Sequence, residues 1–291
     1  MKQRNSLFNR SLILAFLVIA SFSLLGQAKR APGIGGYAEE FLKTQWWLGI
    51  KIGTNFTDPN PETPYSSIST IGLPQQDLEK GYEVYSLPGA QAGLDITFYH
   101  RGFAIGIQPT YKRIRYKYFN NRSWQGPGLV NAFDMEYTIE QRIDAVDVPL
   151  SIKYEIIQSG KTRPFVMLGG FYTFITHAEK KVDVLYTDYA AGEPIPTSGG
   201  TQILGVTQQF QNYAGALGGA GVSFDYFNIR SVLEVVYLMG LTDITNDGNR
   251  FTQTELTSIG DVNDELKVDN INISLSFVFP LRFIDKQFQA Y

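Results

Sequence analysis

Two histidines and no cysteine narrow the chemistry open to this chain. Without a thiol there is no disulfide, no Cys-ligated zinc, no thiolate nucleophile and no lipid on an N-terminal cysteine. A hydroxyl nucleophile needs a base beside it, usually histidine. His100 falls in the short turn His100-Arg101-Gly102, and His177 lies near Thr173 and Thr176. His177 could pair with a hydroxyl, but a histidine at a membrane rim also serves as an amphipathic interfacial residue. No enzyme is expected. The run Asp243-Ile-Thr-Asn-Asp-Gly-Asn sets Asp243, Asp247 and Gly248 at the offsets of a calcium loop. Its twelfth position is Thr254, with Glu255 one place late, where a bidentate glutamate is required; an Asn-Asp-Gly turn accounts for the same residues. Gly215, Gly218, Gly219 and Gly221 suggest a phosphate loop by count alone, since no helix follows. Close packing or barrel curvature explains them better. Neither cofactor nor metal is expected.

The remaining chemistry is charge. Lys51, Lys112, Lys153 and Arg230, with Asp95, Asp147, Glu155 and Glu234, stand on the polar faces of segments that alternate every second residue. If those faces meet inside a closed sheet, four cations balance four anions. Buried charges are normally paired, so the first reading is a hydrogen-bonded plug. The second is a narrow polar pore or a proton-sensitive gate.

Strands must position these groups, and the alternation is long. Trp46, Leu48, Ile50, Ile52 and Phe56 oppose Trp47, Gly49, Lys51, Gly53 and Asn55. Comparable patterns run through Ala90–Tyr99, the stretch after Phe103, Val146–Glu155, Arg230–Leu241 and Asn270–Leu281, with glycine-rich and less regular segments at Phe165–Ile175 and Tyr213–Phe224. Eight strands of about ten residues, with apolar faces ending in Trp and Tyr, describe an all-β, antiparallel, up-and-down transmembrane β-barrel over residues 46–283. Short turns at 100–102, 158–161 and 225–228 alternate with long connections, as periplasmic turns alternate with long extracellular loops.

Ahead of the barrel, Lys2, Arg4 and Arg10 precede an uncharged apolar run from Leu12 to Leu25, then Gly26-Gln27-Ala28. That order is a cleaved secretory signal peptide, residues 1–28. Residues 29–45 then form a periplasmic N-terminal segment and 284–291 a periplasmic tail, on a protein expected in the Gram-negative outer membrane. Loss of three cations with the leader takes the formal charge from −3 to −6. An acidic chain offers nucleic acid no footprint. Lys112-Arg113-Ile114-Arg115-Tyr116-Lys117-Tyr118 is expected at the headgroup level against anionic lipid. Asp58, Glu62, Asp77, Glu79 and Glu83 in loop one, and Asp247, Glu255, Asp261, Asp264 and Glu265 in loop four, are expected to be solvated. Loops of this length are usually functional. With Tyr65, Tyr82, Tyr85, Tyr186, Tyr189 and Phe251 they are expected to fold over the mouth and meet a protein partner. Trimming Pro59–Lys80 should then spare the barrel.

Three strands carry a family likeness. Asp147-Val148-Pro149-Leu150-Ser151-Ile152-Lys153-Tyr154 resembles the "IPLLLKY" strand of the PorT-like outer-membrane β-barrel proteins of Bacteroidota. Arg163-Pro164-Phe165-Val166-Met167-Leu168-Gly169-Gly170 resembles their "kPYvlaGg" strand, and Tyr237-Leu238-Met239-Gly240-Leu241-Thr242-Asp243-Ile244 is similar to "rYslGLtnI". The resemblance covers Trp46 to Phe279 and implies an eight-stranded barrel. It also implies a role as an accessory subunit of an outer-membrane assembly, with protein secretion as the pathway the family's founding member points to; a small diffusion channel and a lipid-modifying enzyme are the alternatives.

Overall fold

A computed structural model of the chain describes residues 44–66, 80–125, 132–158, 160–189, 193–226 and 229–281. The leader 1–28, nearly all of the segment 29–45, the tail 284–291, and Asp77, Glu79, Ser159, Phe227 and Asn228 lie outside the described residues. Among the described residues eleven strands appear in chain order: β1 Gln45–Thr63, β2 Gly81–Glu83, β3 Pro88–His100, β4 Phe103–Ile107, β5 Thr110–Gln125, β6 Ala132–Glu155, β7 Thr162–Asp188, β8 Ile195–Gly205, β9 Tyr213–Tyr226, β10 Ile229–Gly240 and β11 Glu265–Pro280.

Every pairing is antiparallel, and the pairings return on themselves. β1 pairs with β3 and with β11. β3 pairs with β4 and β5, and both of these pair with β6. From there β6, β7, β9, β10 and β11 are joined in turn. Eight staves result, with β4 and β5 sharing one. The break between them falls at Pro109, which has no N–H for the ladder; its carbonyl still accepts from Leu94 N at 3.0 Å.

Period-two burial separates wall from lumen. Trp46, Ile50, Leu150, Leu168, Leu233 and Phe279 point outward and are exposed, Leu168 by 72 %. Their neighbours Trp47, Lys51, Ser151, Met167, Glu234 and Val278 are buried inside. An apolar belt open all round the wall costs free energy in water and none in hydrocarbon. Aromatic side chains edge it: Trp46 against Phe98 and Phe103 against Tyr154 near the short turns, Tyr172 against Phe174 toward the long loops. No helix among the described residues is long and apolar enough to cross a membrane.

Strand length departs from the expectation of about ten residues each. β6 has 24 residues and β7 has 27, where a tilted strand crosses a bilayer in about 9–11. Most of what was expected as loops two and three is therefore sheet continuing past the belt, with β8 added along β7. A bulge shapes this upper sheet. Asp144 pairs with His177 while Ala145 pairs with Ile175, leaving Thr176 extra. One extra residue moves the following side chains to the other face. Below the bulge Phe171 and Thr173 face inward; above it Ala178, Lys180 and Val182 do.

Candidate functional site

The lumen is a stack of charged layers, each placed by strand parity. Nearest the short turns, Arg230 Nη1 on β10 lies 2.9 Å from Glu155 Oε1 on β6, and Arg230 Nε lies 2.6 Å from Asp225 Oδ1 on β9. Arg163 on β7 reaches the same Asp225 at 3.1 Å. The Arg230 guanidinium stacks 4.8 Å from the Trp47 ring and 5.2 Å from Tyr99, whose hydroxyl donates to Glu155. One layer up, Glu234 is fully buried between Lys51 at 2.6 Å and Lys153 at 3.0 Å. Lys51 also donates to Gln108, whose amide donates to Asp95 at 2.7 Å. Higher still, Lys112 lies 3.3 Å from Asp147, which accepts from Thr173 at 2.7 Å.

All eight residues expected inside, Lys51, Asp95, Lys112, Asp147, Lys153, Glu155, Arg230 and Glu234, are thus buried in one lumen. Sequence reasoning missed Arg163 and Asp225, which sit in the first layer. Both carry the inward parity of their strands: Arg163 precedes Phe165 and Met167, and Asp225 follows Ser223. Asp225 belongs to β9 rather than to a turn. Little space is left. A cavity of about 30 Å³ lies among Trp47, Asp95, Lys153, Glu155, Phe165 and Arg230. Another of about 10 Å³ lies among Lys51, Gln91, Gln108, Asp147 and Asn272. A water needs roughly 10–15 Å³ by this measure, so the first has room for about two waters and the second for at most one.

Above the belt, loop four closes the mouth. Lys180 lies 2.7 Å from Asp261, and Lys80 lies 2.6 Å from Asp264; all four side chains are buried. Tyr118 donates to Asp261 and Tyr82 to Asp264. Burial alone would raise the Asp261 carboxyl; Lys180, Lys80 and the Tyr118 hydroxyl overcome that and hold it below the usual carboxylate value. Burial, with Asp264 for Tyr82 and Asp261 for Tyr118, pushes both phenols well above theirs. Asp261 and Asp264 are therefore not solvated loop charges. Lys112, Tyr116 and Tyr118 face the lumen rather than lipid headgroups, because inward parity on β5 falls on the even residues. Tyr65 and Tyr82 turn inward as well, Tyr65 beneath the Arg250 guanidinium at 3.5 Å. The ends of the segment Pro59–Lys80, expected to be dispensable to the barrel, belong to it: Pro59, Asn60 and Pro61 pair with β11, and Lys80 holds Asp264.

The other chemical candidates are scattered. His100 Nδ1 lies 2.6 Å from Thr44 Oγ1. His177 is exposed beside Glu179 and 3.5 Å from Thr207 Oγ1. Its expected hydroxyl neighbours point elsewhere, Thr173 to Asp147 and Thr176 to the Asp144 carbonyl. In the calcium-like run, Asp247 is paired with Arg250 and Thr254–Ser258 is a short helix. The clustered glycines lie within β9, where a Cβ on Gly221 would sit 2.5 Å from the Leu233 carbonyl oxygen.

The model of the outer membrane protein beta-barrel domain family matches residues 30–246. The chain belongs to that family. Solved barrels similar to it include Neisserial surface protein A (12% identity over 80% of this chain and 96% of that one, TM-score 0.34). The outer membrane protein W of E. coli is another (15%, 80% and 97%, 0.34), as is Ail, the attachment invasion locus protein of Yersinia pestis (11%, 81% and 99%, 0.31). No curated protein matches. Family membership makes this an outer-membrane barrel that crosses with strands, its exposed apolar belt facing lipid and its layered ion pairs filling the lumen.

Proposed function

We propose that this outer-membrane barrel is a non-conducting, non-enzymatic scaffold, acting as a structural or accessory subunit of an outer-membrane assembly. The observation that carries this reading is the filled bore: interlocked buried ion pairs cross it, and two cavities among the described lumen residues measure about 30 and 10 Å³. An eight-stranded barrel encloses a lumen that side chains can fill, and here they do. His177 has a single threonine hydroxyl at 3.5 Å and an exposed ring, which favours a scaffold over a hydrolase. The PorT-like resemblance adds the accessory role, in protein secretion, with a protein partner and outer-membrane lipid as its contacts and no cofactor. Export uses the leader cut after Ala28, and a mature N-terminus other than Lys29 would sink that cut. Planar-bilayer recording of the refolded barrel tests the main reading. Silence, or brief small openings, is expected; a large and steady open state would overturn the scaffold and install the diffusion channel.

A further inference from the structure

On the outer wall, immediately above the apolar belt, three strands bring four cations to one recess. Arg113 and Arg115 stand on β5, Arg142 on β6 and Lys181 on β7, around a cavity of about 190 Å³ also lined by Glu140, Glu179 and Ile203. Below it lies the aromatic edge of the belt: Tyr111 is two residues below Arg113, and Tyr172 and Phe174 lie on β7. Aromatic edges of this kind mark the headgroup level of a bilayer.

The register adds a second observation. Arg115 stands directly opposite Arg142, and like charges directly opposite destabilise a sheet unless an anion lies between them. Neighbouring carboxylates answer only part of this. Arg113 pairs with Asp144, Arg115 with Glu140, Arg142 with Asp144 and Glu179, and Lys181 with Asp183. Arg142 Nε is buried and reaches no acceptor among the described residues. Glu140 and Glu179 line the recess itself, and Asp144 and Asp183 stand beside it, so four carboxylates meet the four cations. A guanidinium carries five N–H groups; Arg115 spends three on Glu140 and the Pro88 carbonyl and Arg142 spends two on Glu179 and Asp144, so both keep N–H groups beyond these bonds while lining the recess. A planar guanidinium fork matches the paired oxygens of a phosphate.

We propose that this recess binds a phosphate group carried by a glycolipid of the outer leaflet, with Arg115 and Arg142 as its principal donors. The phosphate lies between the two facing guanidiniums, Arg113 and Lys181 flank it, and the acyl chains run down the belt past Tyr111 and Phe174. The exposed side chain of Ile203 provides an apolar flank for the sugar. This inference is separate from the scaffold reading, because a conducting barrel could carry the same recess.

The test uses full-length protein in detergent, titrated with diphosphorylated lipid A, with its enzymatically dephosphorylated form and with inorganic phosphate, and read by native mass spectrometry. Diphosphorylated lipid A should stay bound where the dephosphorylated form is lost. Arg115→Gln/Arg142→Gln should weaken retention roughly ten- to a hundredfold, the scale of losing charge-assisted hydrogen bonds. Lys267→Gln, on the outer wall at β11, should leave it unchanged. Equal retention of the two lipid forms, or of wild type and double variant, overturns the site. Binding of inorganic phosphate without preference for the lipid overturns the glycolipid assignment. If the double variant does not fold, Arg142→Lys replaces it: charge without a fork should reduce selectivity for the phosphorylated form, and unchanged selectivity refutes the proposal.

Discussion

Glu234→Gln is the most direct perturbation of the filled lumen. The carboxylate is fully buried, within 2.6 Å of Lys51 and 3.0 Å of Lys153, and accepts from Ser274 at 3.2 Å. An amide keeps the shape and removes the charge, leaving two buried ammoniums whose nearest remaining relief is the Asp95–Gln108 pair. Removing one partner of a buried ion pair costs about 3–5 kcal/mol, because the other charge stays desolvated. With a urea slope of about 1–3 kcal/mol per molar, the unfolding midpoint should fall by at least about 1 M. Lys51→Met/Glu234→Met/Lys153→Met removes all three charges and should recover most of that loss, since replacing a whole buried cluster by apolar groups is often neutral. The assay is urea unfolding of the barrel in lipid vesicles, followed by tryptophan fluorescence and by gel mobility with and without heating. A midpoint shift below about 0.3 M for Glu234→Gln, together with a larger loss in the triple variant, would refute the reasoning. It would mean that water screens the lysines, as in an open pore.

Three further outcomes follow from the same geometry. The Asp261 carboxyl is held low by Lys180 and Lys80, so its contribution is complete above the unfolded value of about 3.9 and is lost as pH falls through the lower folded one. Loop four should therefore resist cleavage after Arg250 from pH 5 to 8, judged by an acid-active protease and trypsin in overlapping ranges, and open only below about pH 4; opening at pH 6 would contradict the pairing. Gly169→Val should abolish the folded, heat-modifiable form, since a Cβ there would sit 2.1 Å from the Leu150 carbonyl oxygen and force β6 from β7; a normal folded band would show that the strands can part. Deleting residues 67–79 keeps the β1–β11 pairing and the Lys80–Asp264 bridge, so the folded barrel should survive, whereas deleting 59–80 should cost about 3 kcal/mol or more by unpairing Asp264. If the shorter deletion also leaves every co-purifying protein in place, loop one is not the partner contact.

Within the belt the sequence alone determined a great deal. Hydrocarbon outside and a packed lumen inside impose opposite demands on neighbouring residues. Parity along Trp46–Asn55, Ala90–Tyr99 and Arg230–Gly240 therefore assigns Lys51, Asp95 and Glu234 to the interior before any coordinates exist. Past the belt the outer face meets water and the contrast fades. That is why β5, β6, β7 and β8 extend where loops were expected, with cross-strand pairs such as Arg115–Glu140 on their outer face. Only the tertiary structure placed the extra Thr176 that turns Lys180 inward, because a bulge is a mismatch between two strands and leaves no mark in either alone. It alone chose partners as well. Arg230 meets Glu155 from 75 positions away and Lys180 meets Asp261 from 81, distances over which parity supplies the face but closure of the barrel supplies the neighbour.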